Sequence, residues 1–480
     1  MPFTEFYCQS GGSNLNAGST TNNTAAFTYA SGNWVAGTGV FTVASGDPAS
    51  DGVAVGDFAS VYPDGSSVAV FIGRVTARSS TTITVSLTAK SGTAPTDGTG
   101  NRTLKIGGAW QGPNGAVGFP FPFTQRTMRD ASDNHPRINF KNGTAYAITA
   151  AITTAGSGDG CIRYEGYTTT PGDGGLFVIS GPTTGAGFTA LTIAGACHEL
   201  VNLELYNNGS TSNNVGVAIS GQAAIARRVI VHDVRGSGLS LSGPTTLADE
   251  CEVYASQQSN TSGQAGISLS GTGACARNSI SHHNTGSNSS GFSYGTNQVI
   301  MEGCIAHDNG FAGVIVGSSR LSLWMFQCDF YDNGSDAIRN AVNIDPVLIY
   351  AVNCNFLKNN GYAANFVSGN TGSIVRFINC GIGQGTMANT SGIFPASVTY
   401  ATSENEVLYT ANTTPWVDPD DGDFRISGSQ AKGTGRGSFT QTQSGYGSPN
   451  ATVGYPDIGA AQHQDSGGGN TVITKRKYIR

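Results

Sequence analysis

The sequence predicts an all-β chain: a right-handed parallel β-helix with about 25 residues per coil, a small N-terminal β domain before it and an irregular C-terminal cap after it. Three observations carry that prediction. Glycine accounts for 68 of the 480 residues and charged residues for only 12%, with Ser, Thr and Asn between short apolar runs; such a composition suits many short strands joined by turns. The apolar residues alternate at period two rather than at the helical 3.6. Finally, cysteines recur at near-constant spacing, and the text around them repeats.

Cys251, Cys275, Cys304, Cys328, Cys354 and Cys380 follow one another at intervals of 24 to 29. Nine cysteines is an odd count, and so regular a spacing does not read as a disulfide framework. Cys304-Ile-Ala-His-Asp-Asn-Gly310, Cys328-Asp-Phe-Tyr-Asp-Asn-Gly334 and Cys354-Asn-Phe-Leu-Lys-Asn-Asn360 share one frame, which Leu203-Glu-Leu-Tyr-Asn-Asn-Gly209 and Ser279-Ile-Ser-His-His-Asn284 repeat upstream. The aligned column is Leu203, Val229, Cys251, Ser279, Cys304, Cys328, Cys354 and Cys380, with Cys275 out of register. A second strand follows each turn, as in Gly216-Val-Ala-Ile219 and Gly313-Val-Ile-Val316, so two strands per period are expected. A period in the twenties means a solenoid, and with leucine scarce and no helical stretch between strands it is a β-helix, of about ten coils.

Coils stacked about 4.8 Å apart place residues one period apart directly over each other. Alternation turns Cys304 and Ala306, Cys328 and Phe330, and Cys354 and Phe356 inward, where stacked thiols act as small buried hydrophobes rather than metal ligands. Asn208, Asn284, Asn309, Asn333 and Asn359 recur just after this strand, in position to hydrogen-bond between coils and satisfy turn backbone.

The expected layout is an N-terminal β-rich domain over 1–110, a Gly/Pro-rich linker over 111–136, the β-helix over 137–385, a cap over 386–463 and a basic tail over 464–480. The tail carries Lys475, Arg476, Lys477 and Arg480, read as a mobile or docking end. A net charge of −6 without a basic stripe argues against nucleic acid as a partner. No apolar run is long enough to span a bilayer, and Met1-Pro2-Phe3-Thr4-Glu5 lacks the basic and apolar regions of an export signal.

Candidate chemistry lies on the outward face. The fourth strand position presents Tyr206, His232, Tyr254, His282, His307, Tyr331 and Leu357, a row of rings that would stack on sugars or form a ladder stabilised by its own neighbours. Tyr206, His232, Tyr254 and Tyr331 are the glycan-binding candidates. The next position holds Asn207, Asp233, His283, Asp308 and Asp332. Asp308 and Asp332 in successive coils are the spacing a pair of glycosidase carboxylates would need, with His307 or His282 as proton carrier, and the same Asp residues also suit ordinary turns. The acidic run Asp418-Pro-Asp-Asp-Gly-Asp423 lacks the glycine position of a calcium loop and reads as a surface turn. No phosphate loop, nucleophile elbow or HExxH motif is present, and the sequence implies no cofactor and no metal.

The opening Phe6-Tyr7-Cys8-Gln9-Ser10-Gly11-Gly12-Ser13-Asn14-Leu15-Asn16-Ala17-Gly18, the closing Asp423-Phe424-Arg425-Ile426 and Pro456-Asp457-Ile458-Gly459-Ala460, and the coils between them resemble pectate-lyase-like right-handed β-helix proteins. That superfamily holds lyases, hydrolases, epimerases, phage tailspikes and proteins without catalysis, so the resemblance implies a fold and not an activity. The block from Val55 to Val85, with no export signal, looks most like phage and prophage virion proteins. The resemblance therefore implies a tailspike, fibre or decoration protein, found on the virion or outside the cell after lysis. Its N-terminal domain would join other virion proteins, its β-helix would meet host-surface polysaccharide, and a homotrimer is the expected assembly. A polysaccharide hydrolase or lyase, and a non-catalytic structural or adhesin module, are the alternatives.

Overall fold

The computed structural model describes residues 4–8, 24–66, 71–107, 135–154, 161–185, 187–209, 214–256, 264–295, 298–317, 322–340, 347–366, 373–384, 388–395, 400–404, 406–409, 415–421 and 423–426. Most of the expected linker, the opening motif beyond Cys8, the Pro456–Ala460 motif and the basic tail lie outside these residues. The chain is all-β, a parallel β-solenoid of about nine turns with about 26 residues per turn and a small antiparallel barrel at the N-terminal end. Among the described residues the one helix is the four-residue Pro48–Asp51, and no helix is long and apolar enough to cross a membrane.

Two compact units divide the chain at Leu247 and Ala248. In the first, strands Phe27–Val35, Val40–Thr42, Phe58–Pro63, Phe71–Arg78, Thr82–Gly92 and Gly98–Ile106 close into the barrel around Trp34, Phe41, Val61, Phe71, Ile83 and Leu104. Closure leaves no unpaired strand edge. The Trp34 indole N–H, buried with the ring, donates to the Pro95 carbonyl at 2.9 Å. Thr4–Cys8 lies outside the barrel. It pairs in parallel with Pro136–Lys141, which pairs with Arg163–Tyr167, so residues from the start of the chain form part of the coil sheet. Glu5, Arg137, Glu165, Arg163 and Glu199 follow as an alternating ion-pair chain along these strands, with contacts of 2.7 to 3.5 Å.

In the first unit the coils of Glu199–Tyr206 with Val217–Ile219 and Ile225–His232 with Leu239–Leu241 carry the two strands that the sequence spacing suggested, and in the second unit each regular coil carries three. In the second unit a typical coil runs Val299–Glu302, Ile305–His307 and Val314–Val316. The first two strands are separated by two residues, the first of them in the left-handed region: Asn278, Gly303, Gln327, Asn353 and Asn379, with φ of 48 to 60°. So short a corner looks like a continuous run in sequence, which is why the pair reads as a single strand.

The inward positions are as alternation predicts: Cys304, Ala306, Cys328, Phe330, Cys354 and Phe356 are fully buried, and the Phe330 and Phe356 rings stack 5.3 Å apart. All nine cysteines are free. The column thiols do more than fill space. Cys328 and Cys354 each donate to the carbonyl two residues back, that of Phe326 and Val352, at 3.4 Å; Ser279 in the same column makes the same bond to Arg277 at 2.9 Å. Each thiol or hydroxyl thereby gives a corner carbonyl a second donor beside the amide it already accepts, that of Gly303 at Phe326, Gln327 at Val352 and Glu250 at Arg277. Burial pushes the pKa of Cys304, Cys328 and Cys354 well up, so they remain donors.

The asparagines form a ladder. Asn284 donates to Asn309 at 2.7 Å, Asn309 to Asn333 at 2.9 Å, Asn333 to Asn359 at 2.8 Å and Asn359 to Asn389 at 2.9 Å. Each side chain also meets backbone: Asn333 donates to the Ala306 carbonyl at 3.0 Å and accepts from the Asn309 amide. Stacking continues one coil beyond Cys380, where Val407–Tyr409 pairs with Gly381–Gly383. There the repeat fades in sequence because Glu406, exposed, precedes the strand where the column calls for a small inward residue.

Replacing Asn333 with Ala leaves Asn309, Asn359 and the Ala306 carbonyl each short of a buried partner. The expected cost is about 2–4 kcal/mol, read as a lowered urea midpoint at unchanged slope; a variant as stable as the parent contradicts the ladder's role.

Candidate functional site

Parallel registration sets the outward ring column. Tyr206 pairs with His232 in the first unit, and Tyr254, His282, His307, Tyr331 and Leu357 follow one another in the second. Tyr206 and His232 stack at 5.5 Å with ring planes 16° apart. His232 is clamped from both ends, Nδ1 on Asp233 Oδ2 at 2.7 Å and Nε2 on Glu204 Oε1 at 3.3 Å. Burial pulls its pKa down, but the bonds to Glu204 and Asp233 outweigh this and hold it above the ordinary value.

In the second unit Tyr254 stacks on His282 at 5.3 Å, and His282 on His307 at 4.8 Å with planes only 2° apart. His282 Nε2 lies 3.2 Å from Glu252 Oε1, and His307 Nδ1 lies 2.7 Å from Asp308 Oδ2. Burial dominates at His307 and pushes its pKa down to about 4, despite Asp308.

The expectation that the whole column faces solvent needs correction. The rings do point out of the coil, but His282, His307, Tyr331 and Leu357 are 7%, 4%, 2% and 0% exposed. A hairpin of Trp416–Asp418 and Asp423–Ile426 lies over the last of them. Tyr409, Trp416 and Phe424 close an apolar cluster with Ile305, Tyr331 and Leu357, and Phe424 also contacts the His307 ring at 4.9 Å. Tyr331, a glycan-binding candidate from sequence, instead donates its hydroxyl to Asp420 at 2.6 Å. Lys358 joins Asp332 at 2.8 Å and Asp420 at 2.9 Å, and these bonds raise its pKa against the opposing effect of burial. The acidic run is the turn of this hairpin, and it latches the covering segment to the coil. Tyr206, His232 and Tyr254 remain half-buried, open to solvent on one side.

The position after each ring is a second left-handed corner. Asn207, Asp233, Ala255, His283, Asp308, Asp332 and Lys358 have φ of 46 to 61°. Left-handed backbone favours Asn, Asp and His, so the fold alone accounts for the acidic residues there. Asp308 is bonded to His307 and Asp332 to Lys358, so each carboxylate of the sequence-derived pair already has a partner of its own.

Two features escaped the sequence reading. Trp324 and Tyr350, half-buried, meet at 5.0 Å with ring planes tilted by 49° on the outward face of the first strand of their coils; counting two strands per coil hid this row. His283, His307 and Asp308 bring their donor atoms within 4.8 Å of one another. The visible signal was His-His at 282–283 matched by His-Asp at 307–308 one coil later.

Parallel strands in register from coil to coil, a stacked apolar interior and an outward ring column define a parallel β-helix. No family model and no curated protein matches the chain. Among solved structures, pectate lyase Pel9A is similar at 15% identity, over 68% of this chain and 88% of that one, with a TM-score of 0.45. The A-module of mannuronan C-5 epimerase AlgE4 from Azotobacter vinelandii is similar at 15% identity, over 57% and 79%, with a TM-score of 0.44. Tailspike gp49 of Acinetobacter baumannii bacteriophage Fri1, a capsular polysaccharide depolymerase, is similar at 11% identity, over 57% of each chain, with a TM-score of 0.33. At such values no activity passes from those proteins to this one.

Trp416→Ala is expected to cost about 3–5 kcal/mol by emptying the site above Tyr331. Hydrogen exchange should quicken at amides 407–426 while strands Ile305–His307 and Asp329–Tyr331 stay protected; loss of protection throughout these coils would mean the hairpin is integral rather than a cover.

Proposed function

We propose that this is a virion-type surface protein that presents its β-helix to bacterial surface glycan. The observation that carries the reading is the set of rigid, half-exposed ring rows: Tyr206 with His232, held by Glu204 and Asp233, and Trp324 with Tyr350. Rings fixed before binding lose little freedom on stacking against a sugar face, and the polar groups at their edges supply hydroxyl partners. In this reading the barrel of strands between Phe27 and Ile106 serves for attachment to other virion proteins, the protein reaches its glycan on the virion or after lysis, and the working assembly is a homotrimer.

A second reading, cleavage of the polysaccharide, is favoured by one contact. Asp308 at 2.7 Å orients the His307 imidazole, while burial lowers the basicity of that ring, so the contact supplies orientation and not a strong base.

The test is a panel of bacterial surface polysaccharides, scored for retention and for chain shortening, with light scattering on the same sample for mass. A trimer that retains one glycan, with Tyr206→Ala or Trp324→Ala weakening it roughly five- to tenfold, is the expected result. Retention with shortening that Asp308→Asn abolishes favours the enzyme. No retention of any glycan rejects both readings.

A further inference from the structure

The outward rows also bring three metal-binding side chains together. His282-His283 and His307-Asp308 occupy equivalent places in successive coils, a ring position followed by a left-handed corner. The backbone fixes this alignment: the His283 amide donates to the His307 carbonyl at 3.3 Å, and the Asp308 amide to the Tyr331 carbonyl at 3.2 Å. The two stacked rings are parallel, and His283 stands at 87° to one and 89° to the other. His307 Nδ1 and Asp308 Oδ2 are 2.7 Å apart, and the donor atoms of His283, His307 and Asp308 all lie within 4.8 Å of each other.

We propose that His283, His307 and Asp308 form a binding site for a divalent metal of borderline softness, with zinc the type case and at least one coordination position open to solvent. The donor set decides the class. Two imidazoles and one carboxylate suit zinc, cobalt, nickel or copper, whereas calcium and magnesium demand shells of oxygen. Three protein ligands rather than four leave a place for water.

Geometry sets what must move. Zinc bonds of about 2.0–2.2 Å in a tetrahedron put donors roughly 3.3 Å apart. His307, buried, and Asp308, partly buried, form the fixed half of the site; they part slightly while His283, exposed, swings in by on the order of 1 Å through an ordinary torsional adjustment. His282 acts as a positioning residue. Its Nε2 meets Glu252 at 3.2 Å and its Nδ1 meets His283 Nδ1 at 2.8 Å, so it aims the mobile ligand. For the metal to take the Nδ1 lone pair, the hydrogen that His307 Nδ1 shares with Asp308 moves to Nε2, so binding selects the other tautomer of the neutral ring. Left-handed corners explain an Asp at 308 and admit a His at 283, but they give no reason for two imidazoles and a carboxylate to converge. The proposal stands independently of glycan binding.

The experiment uses the full chain, treated with chelator and with its thiols kept reduced, titrated with Co²⁺ and in parallel with Zn²⁺. One equivalent of Co²⁺ should bind at micromolar or tighter concentration and give a visible ligand-field band without a thiolate charge-transfer band. Zinc should raise the melting temperature. His283→Asn and Asp308→Asn, both compatible with left-handed backbone, should leave the metal-free melting temperature in place and weaken Co²⁺ by at least about tenfold each. Absence of the band, a thiolate band in its place, or undiminished affinity in the double variant would overturn the site.

Discussion

Parallel hydrogen bonding between coils, in a register that does not slip, is the constraint on which the other features depend. It stacks like on like. Cys328 lies over Cys304 and Cys354 over Cys328, Asn333 bridges Asn309 and Asn359, and His282 pairs with His307. A slip of one residue would turn each inward thiol and phenylalanine to the opposite face. The asparagine ladder guards against that, because each buried amide finds its partner only when the coils are aligned.

The same register gives the outward face its ambiguity. Corners after the ring position require left-handed backbone, which favours Asp, Asn and His whatever the protein does. Acidic residues beside imidazoles are thus a by-product of the coil, and they gain a further role only where they converge with other side chains. Over Tyr331 and Leu357 they do not: the hairpin carrying Trp416, Phe424 and Asp420 has filled the outer face and taken its polar groups into latching contacts. At His283, His307 and Asp308 the side chains converge with a route to solvent still open.

Much of the coil could be read from sequence because period-two alternation and a near-constant repeat act locally. The buried column and the asparagine ladder were both legible, the ladder as far as Asn359. Its last rung, Asn389, was not, because 30 residues separate it from Asn359, against the 26 between Asn333 and Asn359. The third strand of the second unit's coils was hidden by two-residue corners such as Gln327-Cys328 and Asn353-Cys354. Coverage of Tyr331 was invisible for another reason: Asp420 is 89 residues away, and nothing periodic links them. The pairing of Thr4–Cys8 with Pro136–Lys141 likewise crosses an entire barrel in sequence. Periodicity reports which residues share a column, and it is silent on what a distant segment lays over that column.

Thiol accessibility in the native protein tests the register most directly, because the column places its sulfurs inside and the coil corner places Cys197 outside. Cys197 is predicted to react quickly with a water-soluble thiol reagent, while Cys251, Cys304, Cys328, Cys354 and Cys380 react only on unfolding. Rapid native labelling at Cys304, Cys328 or Cys354 would contradict the stacked interior and, with it, every alignment drawn from it.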